Sequence, residues 1–224
     1  MEIMPYAERV NDVNVSTGRF SPVTKSPAIA SSDWRQQLPV LAARGITLRE
    51  LKLEDAPTLF EMLTTEEVSR FISPPPTSVE GFEKFITWTH RQRAAGQYVC
   101  FGIVPDGMTA AVGLFQLRSM EPGFGSAEWG FVLGSAFWGT GLFMEGAQLV
   151  VDFAFETIGA FRLEARSAVQ NGRGNGALRK LGAVREGVLR NALHLGGKYH
   201  DQNVWSILAS AWAEAKVTWE PRAA

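Results

Sequence analysis

The fold turns on Ala127-Glu128-Trp129-Gly130-Phe131-Val132-Leu133, followed after Gly134-Ser135-Ala136 by Phe137-Trp138-Gly139-Thr140-Gly141-Leu142. The first part has the length and the β-forming composition of a strand. From Leu142 onward, Leu142, Gly146, Leu149, Val150, Phe153 and Ala154 recur on one face of a helix. Two glycines stand between strand and helix. They let the backbone turn sharply and approach a ligand, while the helix start offers unpaired N–H groups with partial positive charge. Such a junction suits a phosphate or pyrophosphate.

What precedes the loop decides the architecture. Three β-like runs, 97–104, 110–118 and 126–133, follow one another with no helix between them. Asp106-Gly107 is a strong hairpin signal and Glu121-Pro122-Gly123 marks the second turn. Strands on short turns are antiparallel, so the loop closes a meander. A Walker loop needs Gly-Lys-Ser or Gly-Lys-Thr, and neither occurs. A dinucleotide fingerprint needs a third glycine where Met144 stands, although Glu164 lies about 20 residues on, where a ribose-binding acid is expected. The meander also opposes that reading, which requires parallel βα units. Coenzyme A is the third candidate.

Working outward, Ile46–Leu51 alternates as a first strand, and Pro57 with Leu59, Phe60 and Leu63 marks a helix. Thr64 with Glu67 and Thr77 with Glu80 have capping-box spacing, on either side of Pro74-Pro75-Pro76. The second box predicts a helix to about Ala95, with Val79, Phe82, Ile86 and Thr89 inward and Gly96 as its stop. Beyond the loop helix, Arg162–Arg166 reads as a strand, and Leu178–Leu181 closes a helix before Gly182. Strands over about 183–190 and 202–209 finish an α+β domain.

The stretch from Ala127 to Leu142 resembles the CoA-binding motif of the GNAT acetyltransferase superfamily, and most of all its RimJ/RimL-like branch. That branch's loop commonly reads Trp-Gly-Lys-Gly-Tyr-Ala-Thr-Glu-Ala, against Trp138-Gly139-Thr140-Gly141-Leu142-Phe143-Met144-Glu145-Gly146 here. Arg162-Leu163-Glu164-Ala165-Arg166, Asn171, Leu178-Arg179-Lys180-Leu181-Gly182, Gly187-Val188-Leu189-Arg190 and Asp201 match in order, so the likeness covers about residues 46 to 210. It implies a GNAT-type mixed sheet, with an antiparallel meander followed by a β-loop-α-β cofactor unit, and acetyl-CoA as co-substrate. It further implies that the backbone of Gly139, Thr140, Gly141 and Leu142 holds the pyrophosphate. Phe131, Val132 and Leu133 would align the pantetheine arm by backbone hydrogen bonds, and Asn171 would contact the cofactor. A helix cap is the alternative reading of Asn171. Two departures stand out: Phe143 replaces the usual Ala or Gly, and Gly174 the usual Ser. They leave open a second reading, a non-catalytic CoA-binding or regulatory module. Gly172, Gly174 and Gly176 each weaken a helix by ~1 kcal/mol relative to Ala.

Acetyl transfer needs a deprotonated amine. At pH 7 this costs about 4–5 kcal/mol for a lysine side chain but only about 1 for an α-amino group. A carboxylate acting through water could suffice for the latter. Glu128, aligned with a glutamate frequent in the family, is the candidate base; a salt-bridged strand residue is the alternative. Tyr199, Ser167 and His194 are candidate donors to the leaving thiolate, and Arg173, Arg179 and Lys180 are candidates for the 3′-phosphate of CoA. Primary amines of protein N-termini or small molecules are the expected acceptors.

A net charge of -1 with no run of Lys and Arg gives no support to a nucleic-acid or membrane surface. The three histidines, His90, His194 and His200, and the lone Cys100 have no metal-ligand spacing, so no metal is expected. No apolar stretch approaches the ~20 residues of a membrane span, and no leader pattern opens the chain, so the cytoplasm is the expected compartment. Cys100, in an apolar strand, reads as a buried inert thiol. The expected division is an extended or mobile N-terminal extension over 1–45, a catalytic domain over 46–212 and a tail over 213–224. The Ser-, Thr- and Pro-rich extension serves either as a disordered leader or as an arm on a partner subunit, the latter making a homodimer.

Overall fold

The computed structural model describes residues 33–219. Residues 1–32, most of the expected extension, lie outside them. A single eight-stranded sheet runs β1 (Leu41–Ala43), β2 (Ile46–Glu50), β3 (Tyr98–Pro105), β4 (Gly113–Ser119), β5 (Ser126–Leu133), β6 (Arg162–Ala168), β8 (Lys198–Leu208) and β7 (Val184–Leu195). Every neighbouring pair is antiparallel except β5 and β6. The meander and the β-loop-α-β unit therefore stand as the sequence indicates, and the fold is α+β.

Strand pleating sends alternate residues to opposite faces, and each face carries a core. On one, Val99, Phe101, Ile103, Phe115 and Trp129 pack against α4 (Leu142–Asp152), whose Gly146 lets the helix close on the sheet. A Cβ there would lie 2.6 Å from Phe115 Cε2. On the other, Cys100, Val104 and Leu114 meet α1 (Ala56–Leu63), α2 (Glu66–Ser69) and α3 (Val79–Ala94). Cys100 is buried there, and desolvation pushes its thiol far above the ordinary value.

Several boundaries differ from the sequence reading. Thr65, not Thr64, precedes α2; Thr64 Oγ1 instead donates to Phe60 O at 2.7 Å and finishes α1. Ser78, not Thr77, caps α3, accepting from Gly81 N at 3.1 Å. Within the expected extension, Trp34 and Leu38 enter the core and β1 pairs with β2. Residues of the expected tail lie in α6 (Ala209–Trp219), which Trp212 Nε1 and Lys216 Nζ tie to Asp152 at 2.6 and 2.9 Å. The last two strands are longer than expected and form one hairpin.

A buried ion pair locks the α1 corner. Asp55, 1% exposed, accepts two Arg49 guanidinium bonds of 2.8 Å and the N–H groups of Lys52 and Ala111. Burial works to raise the Asp55 carboxyl, but these bonds outweigh it and hold it below the usual value. Asp55→Asn should therefore destabilise the fold by about 3 kcal/mol at pH 7, since it strands a buried charge. A depressed carboxyl contributes stability above its unfolded value near ~3.9 and loses it as pH falls through the folded value. Urea unfolding of both proteins from pH 7 down to pH 3 should show the gap closing in acid; a gap independent of pH would exclude the ion pair as its source.

Candidate active site

Pairing between β5 and β6 covers only Ser126 with Arg162, Ala127 with Leu163 and Glu128 with Glu164. Both strands continue, β5 to Leu133 and β6 to Ala168, but apart. A largely apolar groove of about 560 Å³ opens where they separate. Phe131, Val132 and Leu133 line one side, and Asn171, Gly174 and Gly176 of the α5 region (helix Gly172–Lys180) line the other. Gly139 and Gly141 close one end, while Val68, Phe71 and Ile72, in α2 and just beyond it, cover the groove. No local pattern marks this cover beyond the prolines that follow it.

Gly139 and Gly141 take φ of 77° and 94°, the left-handed region that a side chain strains. The turn they make leaves the N–H groups of Gly139, Thr140, Gly141, Leu142 and Phe143 without a backbone acceptor among the described residues. The N–H groups of Met144 and Glu145 return to Gly141 O at 2.9 and 3.2 Å. Thr140 Oγ1 donates to Phe137 O at 2.8 Å, and neither Thr140 nor Leu142 lines the groove; what they bring to this end is backbone. Successive free N–H groups at a helix start form an anion-binding cradle.

The two departures are accommodated. The Phe143 ring lies against Phe131 at 4.5 Å and Phe115 at 6.0 Å, making groove wall. Asn171 is a helix cap, with Oδ1 accepting from Gly174 N at 2.9 Å, and it also lines the groove. Arg173 and Lys180 reach the groove, Arg173 with its guanidinium 4.0 Å from the Trp138 ring centroid. Arg179 instead lies over Trp205 at 5.8 Å. Trp138 Nε1 donates to Leu133 O at 2.8 Å, tying the loop to β5.

Glu128 does not line this groove. It is 6% exposed and accepts from Arg118 Nη2, its cross-strand partner on β4. Both line a smaller polar cavity of about 250 Å³ with Ser73, Arg166, His194 and Gln202. Consecutive residues, Ile72 and Ser73, line the groove and the cavity respectively. Of the candidate donors, only His194 lines either space. Tyr199 is 66% exposed with its ring 4.8 Å from that of His194. Ser167 is buried beneath Gly174, its Oγ without a hydrogen-bond partner.

A family profile described as an acetyltransferase (GNAT) domain matches residues 46–184. N-acetyltransferase p20 of Bacillus licheniformis, itself uncharacterized, is 27% identical over 177 residues, covering 79% of this chain and 99% of its own length. Among solved structures, the microcin C7 self-immunity acetyltransferase MccE, in complex with acetyl-CoA and AMP, matches with a TM-score of 0.67 at 20% identity, covering 74% of this chain and 93% of its own. The ribosomal-protein-S5-alanine acetyltransferase of Vibrio fischeri matches with a TM-score of 0.67 at 18% identity, over 78% of this chain and 98% of its own. The chain belongs to the GNAT acetyltransferase family and is an N-acetyltransferase resembling its RimJ/RimL-like branch.

The α5 glycines separate helix propensity from site geometry. A Cβ on Gly176 meets nothing within 4 Å, so Gly176→Ala should stabilise by about 1 kcal/mol. A Cβ on Gly174 would lie 2.6 Å from Asn171 Nδ2 and must push the capping side chain aside. Losing a cap costs about 1 kcal/mol, so Gly174→Ala should leave stability nearly unchanged. Equal stabilisation of both variants in urea unfolding would show that Asn171 is not held as described.

Proposed function

We propose that this chain binds acetyl-CoA along the groove and transfers the acetyl group to a primary amine that enters from the polar cavity. The observation that supports this most is the run of five unpaired N–H groups from Gly139 to Phe143 at one end of a long, mostly apolar groove. A pyrophosphate needs such donors, and a pantetheine arm needs such walls. The MccE structure, of the same fold, holds acetyl-CoA.

In this reading the N–H groups of Gly139, Thr140, Gly141 and Leu142 hold the pyrophosphate. The β5 backbone over Phe131, Val132 and Leu133 aligns the pantetheine arm as an added strand would. Asn171, whose Oδ1 is engaged in the cap, directs Nδ2 to the cofactor. Arg173 and Lys180 flank the nucleotide end. Bound acetyl-CoA supplies an acyl carbon activated as a thioester.

Glu128 serves the acceptor from the cavity side. It takes a proton from the attacking amine, directly or through one water, while the new N–C bond forms and the C–S bond breaks. The thiolate leaves as CoA and picks up a proton, for which His194, lining the cavity, is the candidate. Arg118 keeps the Glu128 carboxylate oriented. Both substrates are present together, so no acyl group passes through a side chain; buried Cys100, with its raised thiol, is unsuited to carry one.

Glu128→Gln should lower turnover roughly 100-fold or more, the size of a lost general base, while acetyl-CoA affinity stays within about twofold. Turnover measured by release of free thiol, alongside acetyl-CoA titration, checks this. Unchanged turnover would remove Glu128 from the role.

A further inference from the structure

The polar cavity holds more recognition chemistry than proton removal requires. Gln202 is 4% exposed, lines the cavity, and its amide has no hydrogen-bond partner among the described residues. Its place on β8, opposite Ala168 of β6 and Leu189 of β7, fixes it in the cavity wall. The amide is not one of the buried orphaned polar groups, so it meets the open space of the cavity, where it can bond a ligand or water. Beside it on β6 stands Arg166. Its Nε and Nη2 share a single Glu164 oxygen at 3.1 Å each, and that carboxylate also receives Arg162 at 3.4 Å. Arg166 Nη1 has no partner among the described residues.

Glu128 is the one carboxylate among the lining residues, and two guanidinium groups accompany it. The cavity therefore offers an acceptor for an amine at Glu128 and donors for an anion at Arg166 and Gln202. A polyamine would place a second cation against the arginines. The volume of about 250 Å³ suits something near the size of an amino acid.

We propose that the cavity selects amines carrying a carboxylate close to the reacting nitrogen, with Arg166 and Gln202 receiving that carboxylate while Glu128 receives the amine. The proposal rests on the reading of Glu128 as the base and of this cavity as the acceptor's entry. The carboxylate belongs either to a free amino acid or to the acidic first residue of a peptide, and the two present the same chemistry.

The test compares turnover of free amino acids, their C-terminal amides, tripeptide amides beginning with Asp or Glu, and spermidine. An amino-acid amide has the less basic amine and is intrinsically the better nucleophile at pH 7, so preference for the acid cannot come from reactivity. Acceptors with a carboxylate should show kcat/KM at least about tenfold above the matched amides, the size of one charged hydrogen bond. Preference for free amino acids or for acidic peptides identifies the source of the carboxylate, and either supports the proposal. Arg166→Gln should raise KM for the preferred acceptor roughly 10- to 100-fold with little change in kcat, leave amides unaffected, and be partly rescued by Arg166→Lys. Equal or better use of amides or spermidine would overturn the proposal, as would no turnover of any carboxylate acceptor by protein whose melting temperature acetyl-CoA still raises. Absence of that thermal shift would instead overturn the cofactor reading beneath it.

Discussion

The separation of β5 from β6 beyond Glu128 and Glu164 is the constraint on which the rest depends. A continuous sheet would pair every backbone group of both strands and leave no room between them. Three paired residues hold the strands together at one end, and the turn around Gly139 and Gly141 with the α5 cap at Asn171 lines the open space. Unpaired donors gather there because the helix α4 starts there, and Arg173 and Lys180 of α5 add positive charge to the lining. The two faces of the sheet supply the rigidity: α4 and α6 on one side, α1 to α3 on the other.

This division also separates two chemistries. The groove is walled by Phe131, Val132, Phe143 and Trp138, while the smaller cavity holds Glu128, Arg118, Arg166, His194 and Gln202. Phe143 shows how a local departure is absorbed. Its ring turns onto Phe131 and Phe115, so a bulky residue beside the phosphate loop becomes part of the wall. At Gly174 the absence of a side chain leaves room for the Asn171 amide, whose cap occupies that space.

Much of this was legible in the sequence because it depends on local chemistry. Gly139, Gly141 and Gly182 announce left-handed turns, Asp106-Gly107 a hairpin, and Pro57 a helix start. The helix starts slipped by one residue: Thr65 precedes α2 without a hydroxyl cap bond, and of the neighbouring hydroxyls Thr77 and Ser78, backbone geometry chooses Ser78 for α3. Helix α6 escaped notice because its apolar residues have no clear helical stripe, while Trp212 and Lys216 tie it to Asp152, 60 or more residues away. Val68, Phe71 and Ile72 could not be assigned to the groove, since no local pattern tells a core residue from one that covers a cleft. Nor does spacing reveal that Glu128 lines a cavity separate from the groove: Val132, on the same side of β5, lines the groove, and only the elements packed around each position tell the two apart.

The most direct measurement is calorimetric titration of the full chain with acetyl-CoA, with NAD titrated in parallel. Saturable binding of one acetyl-CoA per chain, with no heat from NAD, is the expected result if the separated strands and the free N–H groups form a coenzyme A site. Binding of NAD alone, or of neither, would contradict that assignment.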